Sequence, residues 1–201
     1  QAQAFALQRC KKAKEAVKRL KFDEILLFLL QSQLARSELK SFKAPPVVFH
    51  QEKTKNFVKS LPFELTADQK KASWEIIKDL GKTEPMNRLL EGDVGSGKTV
   101  VAALAMYNVA LSGYQSVLMA PTEILAEQHY KTINLLFKNS KIKFSLLTKN
   151  NQIFGKDYIT KNQLLDKSKN GEVEIIIGTH ALIQQGIDFK KLAFVSIDEQ
   201  H

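Results

Sequence analysis

The chain of 201 residues holds one cysteine, Cys10, so no disulfide can close within it and a reducing compartment is expected. Long apolar runs are missing too. Runs such as Ile25 to Leu30 fall far short of the roughly 20 residues a membrane helix needs. The amino terminus lacks a basic segment followed by an apolar stretch and a small-residue cleavage site, so no secretory leader is read there. These absences predict a soluble cytoplasmic protein without a membrane partner. Acidic residues are scarce: 21 Asp and Glu against 30 Lys and Arg leave a net charge of +9 and a pI near 9.5. That excess favours a polyanionic partner, nucleic acid first. Glycine and proline are absent from the first 44 residues, and three of only nine glycines crowd into positions 92 to 97.

Hydrophobic residues make up 44% of the chain, enough for a substantial core. Residues 1–44 read as a helical segment. Leu7, Cys10, Ala13, Val17 and Leu20 recur at spacings of three and four, and Asp23 is placed to cap a second helix. Ala44-Pro45-Pro46 then ends the helical pattern, and 45–60 reads as a linker to a domain at 61–201. In that domain Thr66 and Gln69 form a capping-box pattern ahead of a helix closed by Gly81.

The central feature is Gly92-Asp93-Val94-Gly95-Ser96-Gly97-Lys98-Thr99, which fits the phosphate-loop pattern G-x-x-x-x-G-K-[ST] at every fixed position. The apolar run Arg88-Leu89-Leu90 before it reads as the end of a buried strand, and the Ala-rich run after it as a packed helix. Glycines let the backbone N–H groups wrap a phosphate at the positive end of a helix dipole. Lys98 supplies a point charge for the outer phosphates, and the Thr99 hydroxyl suits Mg²⁺. The pattern predicts ATP and Mg²⁺ as cofactors.

Strand-like and helical runs alternate from Arg88 onward. Strands are expected at 116–120, 143–147, 173–177 and 192–197, helices at 123–137 and 158–169, and a polar loop at 148–157. The pattern predicts an α/β fold, a parallel sheet with helices on both faces. Ligands of such sheets sit at the carboxyl ends of strands. There this sequence places the glycine loop, Thr122-Glu123, Thr179-His180 and Asp198-Glu199. Asp198 can hold Mg²⁺ and Glu199 can polarise the attacking water. Thr122 and Thr179 also read as ordinary helix N-caps, and His50 and His129 as structural residues.

These blocks carry a resemblance. Gly92 to Thr99 resembles motif I of superfamily 2 helicases, and Asp198-Glu199-Gln200-His201 resembles motif II. Ala120 to His129 is similar to motif Ia, and Gly178 to Leu182 to motif Ic. Together with Leu61-Pro62-Phe63-x-Leu65-Thr66-x-x-Gln69, they resemble the RecG family of bacterial branched-DNA translocases, with the transcription-repair coupling factor as nearest relative. The resemblance implies a RecA-like motor domain at 61–201, incomplete at its carboxyl end, and a helical connector to a wedge domain at 1–44. It implies ATP hydrolysis coupled to movement on double-stranded or branched DNA such as forks and Holliday junctions, and a nucleoid-associated bacterial protein. A single-stranded DNA-binding protein is an implied candidate partner.

The same resemblance implies residue roles. Phe63 and Gln69 meet the adenine; Thr122, Glu123, Thr179 and His180 face a DNA track; His201 couples the ATP site to the motor. The family's later motifs, with its arginine finger, lie beyond the sequence given, so slow ATP turnover is expected of this chain alone. A small-molecule kinase would explain the glycine loop but not Gly178-Thr179-His180 or the Asp198 block. A nucleotide-fold scaffold carrying a basic helical segment is a third reading, one that loss of Lys98 would leave unharmed.

Overall fold

The computed structural model describes residues 2–179 and 186–199, in two units, one ending at Lys43 and the other beginning at Ala44. The first unit is a single helix, α1 (Ala2–Ser41), 40 residues long. The expected break at Asp23 does not occur, because no Gly or Pro interrupts the hydrogen-bond ladder. Asp23 sits mid-helix with its carboxylate 4.0 Å from Arg19 one turn earlier. Phe22, Ile25, Phe28 and Leu34 are exposed on this helix.

The second unit opens with a helix where a linker was expected, α2 (Gln51–Lys59). Thr54 and Phe57 are buried on its inner face, and Phe57 stacks on Tyr107 with ring centroids 4.3 Å apart. The short helix has no side-chain cap of its own. Asn108 supplies the missing polar ties: its Oδ1 accepts from the Thr54 hydroxyl at 3.0 Å and from the His50 N–H at 3.4 Å, while its Nδ2 donates to the Leu104 carbonyl at 2.9 Å. Asn108 is fully buried. Asn108→Ala strands both donors, and a buried unpaired polar group costs about 1–3 kcal/mol. The expected result is a stability loss of about 2 kcal/mol, read as a lower denaturant midpoint with an unchanged slope.

The remaining elements are α3 (Ala67–Leu80), α4 (Lys98–Leu111), β1 (Gln115–Ala120), α5 (Glu123–Leu136), β2 (Phe144–Leu147), β3 (Gln152–Phe154), β4 (Asp157–Tyr158), α6 (Lys161–Asn170), β5 (Ile175–Thr179) and β6 (Leu192–Ile197). The strands form one sheet in the order β4-β3-β2-β5-β1-β6. The four from β2 to β6 in that order run parallel, as expected. The polar stretch expected as a loop instead folds into β3 and β4, which add antiparallel and make the sheet mixed. Gly155, at φ +64°, turns the chain between them.

Side chains of the parallel strands alternate between two cores. Leu118, Ala120, Ile175 and Ile177 share one core with buried residues of α3, α4 and α5. Val117, Met119 and Ile176 share the other with Leu164 of α6. Burial on both faces explains why these strands are unbroken apolar runs. Gln115 locks the amino ends of the strands: its Nε2 donates to the carbonyls of Ser168 and Val173, and its Oε1 accepts from the Lys191 N–H.

The strand expected at Arg88–Leu90 is not formed. Arg88 instead donates to Glu75 at 2.9 Å and Asp79 at 2.5 Å, which ties this segment to α3, and Leu89 is exposed. Hydrogen bonds from Lys82 and then Arg88 hold the Asp79 carboxyl below its ordinary range. Among the described residues no helix is long and apolar enough to cross a membrane.

Candidate active site

Helix α4 carries the glycine loop. Ten of its fourteen residues are buried, from Val100 to Ala110, so the loop grows from the end of a rod fixed in the core. Only residues 112–114 join α4 to β1, so the helix runs back antiparallel over that strand. A helix of 14 residues and a strand of six are both about 20 Å long. The Lys98 end of α4 is thereby carried to the edge where β1, β5 and β6 finish.

Within the loop, Gly95 (φ +81°) and Gly97 (φ +84°) take left-handed conformations. The Ser96 N–H donates to the Asp93 carbonyl at 3.1 Å, closing a turn, and Gly92 to Ser96 are exposed. Gly97 caps α4, so the free N–H groups of the first helical turn and the helix dipole both point out of the loop. The Lys98 ammonium folds back and donates to the carbonyls of Gly92 at 2.7 Å and Asp93 at 3.1 Å.

Gln69 joins α3 to this loop. Its Oε1 accepts from the Thr66 N–H at 2.9 Å, and the Thr66 hydroxyl accepts from the Gln69 N–H at 3.2 Å, so the capping box exists as the sequence suggests. Its Nε2 donates to the Ser96 carbonyl at 2.8 Å. One amide thus caps a helix and grips the glycine loop. Phe63 lies just before α3 with its ring half exposed.

The other sequence candidates divide between those gathered at the carboxyl edge and those lying outside the described residues. Ala120 and Thr179 are register partners, and the Asp198 N–H donates to the Met119 carbonyl at 2.8 Å, continuing the β6 ladder by one residue. Thr122 caps α5, its hydroxyl accepting from the Leu125 N–H. Thr179 ends β5 in extended conformation and starts no described helix. Glu123 accepts from Asn150 at 3.0 Å, and Glu127 from Asn151 at 2.7 Å, so both carboxylates hold the turn before β3. Glu199 follows Asp198 in a left-handed backbone conformation, φ +50°, which is strained for a residue with a side chain. His180 and His201 lie outside the described residues.

His129 is the residue that sequence reasoning set aside. On α5 its Nε2 lies 2.8 Å from Oδ2 of Asp198. The two are 69 positions apart, and nothing in the local pattern around His129 announces the contact.

The oxygen donors at this edge fit Mg²⁺. Thr99 offers a hydroxyl and Asp198 a carboxylate, both hard ligands. Among the described residues no group of three or more His, Cys, Asp or Glu could cage a metal. Mg²⁺ is held by one or two protein oxygens together with substrate phosphates and water, whereas zinc asks for a closed protein set.

Comparison with known proteins agrees with this geometry. A family model described as DEAD/DEAH box helicase matches residues 66–201. The chain is 46% identical over 189 residues to the ATP-dependent DNA helicase RecG of Streptococcus pneumoniae, covering 94% of this chain and 27% of that protein. It is 45% identical over 184 residues to the ATP-dependent DNA helicase RecG of Aquifex aeolicus, covering 92% of this chain and 23% of that one. Its fold is similar to a structure of RecG bound to a three-way DNA junction, with a TM-score of 0.82 and 41% identity over 92% of this chain and 25% of the other. The chain spans about a quarter of the length of these relatives.

Proposed function

The chain belongs to the DEAD/DEAH box helicase family, and from that membership we propose that it is the nucleotide-binding motor portion of a RecG-like, ATP-dependent branched-DNA translocase. The observation that supports the reading is the glycine loop itself: Gly95 and Gly97, both left-handed, lead into the buried helix α4 and set Lys98 in its first turn. The RecG relatives support it over a transcription-repair coupling factor.

In this reading Gly92 to Thr99 bind the ATP phosphates through backbone N–H groups, and Lys98 exchanges its two loop carbonyls for phosphate oxygens. Thr99 and Asp198 hold Mg²⁺, which when bound neutralises charge on the transferring phosphoryl group. Glu199 orients the attacking water and Phe63 stacks on the adenine. Gln69, with one Nε2 proton still free, reads the base edge while its other contacts hold the loop. Thr122, Glu123, Thr179 and His180 face DNA, and His201 couples the site to the rest of the motor. Residues 61–201 form the first RecA-like domain, and 1–44 a connector to a wedge. A single-stranded DNA-binding protein is a candidate partner, and a bacterial, nucleoid-associated location follows from the substrate.

A motor that advances along DNA must ignore base sequence, so its contacts are to phosphates. A chain with a net charge of +9 has the counter-charges. Affinity for a three-way junction should fall linearly on a log–log plot against salt, with a negative slope set by the phosphates contacted. At constant salt, junctions of unrelated sequence should bind alike within about twofold, because none of the phosphate energy depends on the bases. Fluorescence anisotropy with labelled junctions measures both. A strong base preference, or a flat salt response, overturns the DNA assignment.

A further inference from the structure

We infer that His129 is a positioning residue for the Asp198 carboxylate: it holds Oδ2 from α5 and leaves Oδ1 turned to the metal and nucleotide. The inference rests on the assignment of Asp198 to the Mg²⁺ site and adds a residue to it.

The geometry makes the need plain. Asp198 stands one residue beyond β6, at the edge of the sheet, with a quarter of its side chain exposed. Among the described residues its backbone is held by the N–H bond to the Met119 carbonyl. On the other side Glu199 turns into the left-handed region. A carboxylate at such a place is free to swing unless something holds it. Oδ2 has one described partner, the Nε2 of His129 at 2.8 Å, and Oδ1 has none among the described residues.

The holder is itself well held. His129 is 13% exposed, and it rides on a helix whose Ala126, Tyr130 and Ile133 are buried on either side of it in sequence. The Tyr130 hydroxyl donates to the Gly155 carbonyl at 2.6 Å, pinning the same turn to the β3–β4 hairpin. An ionised carboxylate only accepts hydrogen bonds, so Nε2 carries the proton in this pair. That is the arrangement by which outer-shell groups orient metal ligands. The helix also opens at Thr122 and Glu123, so the residues proposed to face DNA and the anchor of the metal carboxylate share one rigid element.

The test measures binding of a fluorescent ATP analogue to the 201-residue chain, in Mg²⁺ and again in EDTA, for the unsubstituted chain, His129→Ala, His129→Gln and Asp198→Ala. Loss of an outer-shell partner costs about 10- to 100-fold in metal affinity, so His129→Ala should lose roughly tenfold of the Mg²⁺-dependent gain and nothing in EDTA. Glutamine carries an amide Nε2 at a similar reach and should restore most of the gain. A purely structural role would weaken binding equally in both buffers. Equal loss in both, no loss in Mg²⁺, or no rescue by glutamine overturns the inference. If Asp198→Ala removes the Mg²⁺ gain while His129→Ala keeps it, this inference alone fails. If Asp198→Ala keeps the gain, the metal assignment fails and takes this one with it.

Discussion

Lys98→Ala is expected to weaken ATP binding by about 100-fold while leaving the fold intact. The ammonium in the free chain is bonded to the Gly92 and Asp93 carbonyls, both on an exposed loop. Exchanging two neutral acceptors for two charged phosphate oxygens strengthens each bond, since hydrogen bonds to charged groups contribute about 1.5–3 kcal/mol against about 1 for neutral ones. Removing the ammonium forfeits about 3 kcal/mol of binding, or roughly two orders of magnitude. The stability change should stay below about 1 kcal/mol, because exposed charged groups contribute little to folding. Isothermal titration calorimetry and a thermal melt on the same samples separate the two effects. Lys98→Arg should not restore affinity, because a planar fork does not occupy the space of a compact ammonium between two loop carbonyls. Unchanged ATP affinity in Lys98→Ala would leave the glycine loop as a structural turn, whereas lost ATP binding with no effect on any partner would support the scaffold reading.

Much of this site is legible in the sequence because its chemistry is written in contiguous residues. The glycine loop and the Asp198 block each carry their geometry in a short stretch, and the unbroken apolar strands between them can only pair inside a sheet covered on both faces. What escaped the sequence falls into two kinds. Some signals were present and outvoted: Thr54, Phe57, Val58 and Leu61 repeat at helical spacing, but the preceding Pro45-Pro46 drew the reading toward a linker. Other features have no local signal at all. Three-residue β3 and two-residue β4 are too short and too polar to show a period, and they form because β2 offers an edge to pair with. The Arg88 segment reads as a strand by its leucines, yet two carboxylates on α3, Glu75 and Asp79, hold it elsewhere. The His129–Asp198 pair depends on where α5 lands against β6, which only the folded sheet decides.

Gly97→Ala should damage both folding and nucleotide binding far more than Gly95→Ala, although the two glycines have nearly the same backbone conformation. With φ of +84° and +81°, each substitution carries the left-handed penalty of about 1–2 kcal/mol. The surroundings differ. A Cβ on Gly95 would meet nothing within 4 Å, whereas on Gly97 it would run into the Nε2 of Gln69. That amide must then leave, and it takes with it the bond to the Ser96 carbonyl and the bond from the Thr66 N–H. Each lost bond costs about 1 kcal/mol, so Gly97→Ala should cost about 3–4 kcal/mol and Gly95→Ala about 1–2. Denaturant midpoints give the comparison directly. The double variant Gln69→Ala, Gly97→Ala decides the cause: truncating Gln69 empties the space, so the second substitution should cost no more than the backbone penalty, and the double variant's loss should fall short of the sum of the single losses by about 2 kcal/mol. Additive losses would mean that Gln69 and the glycine loop do not act on each other, and the bridge from the capped helix to the phosphates would carry no energy.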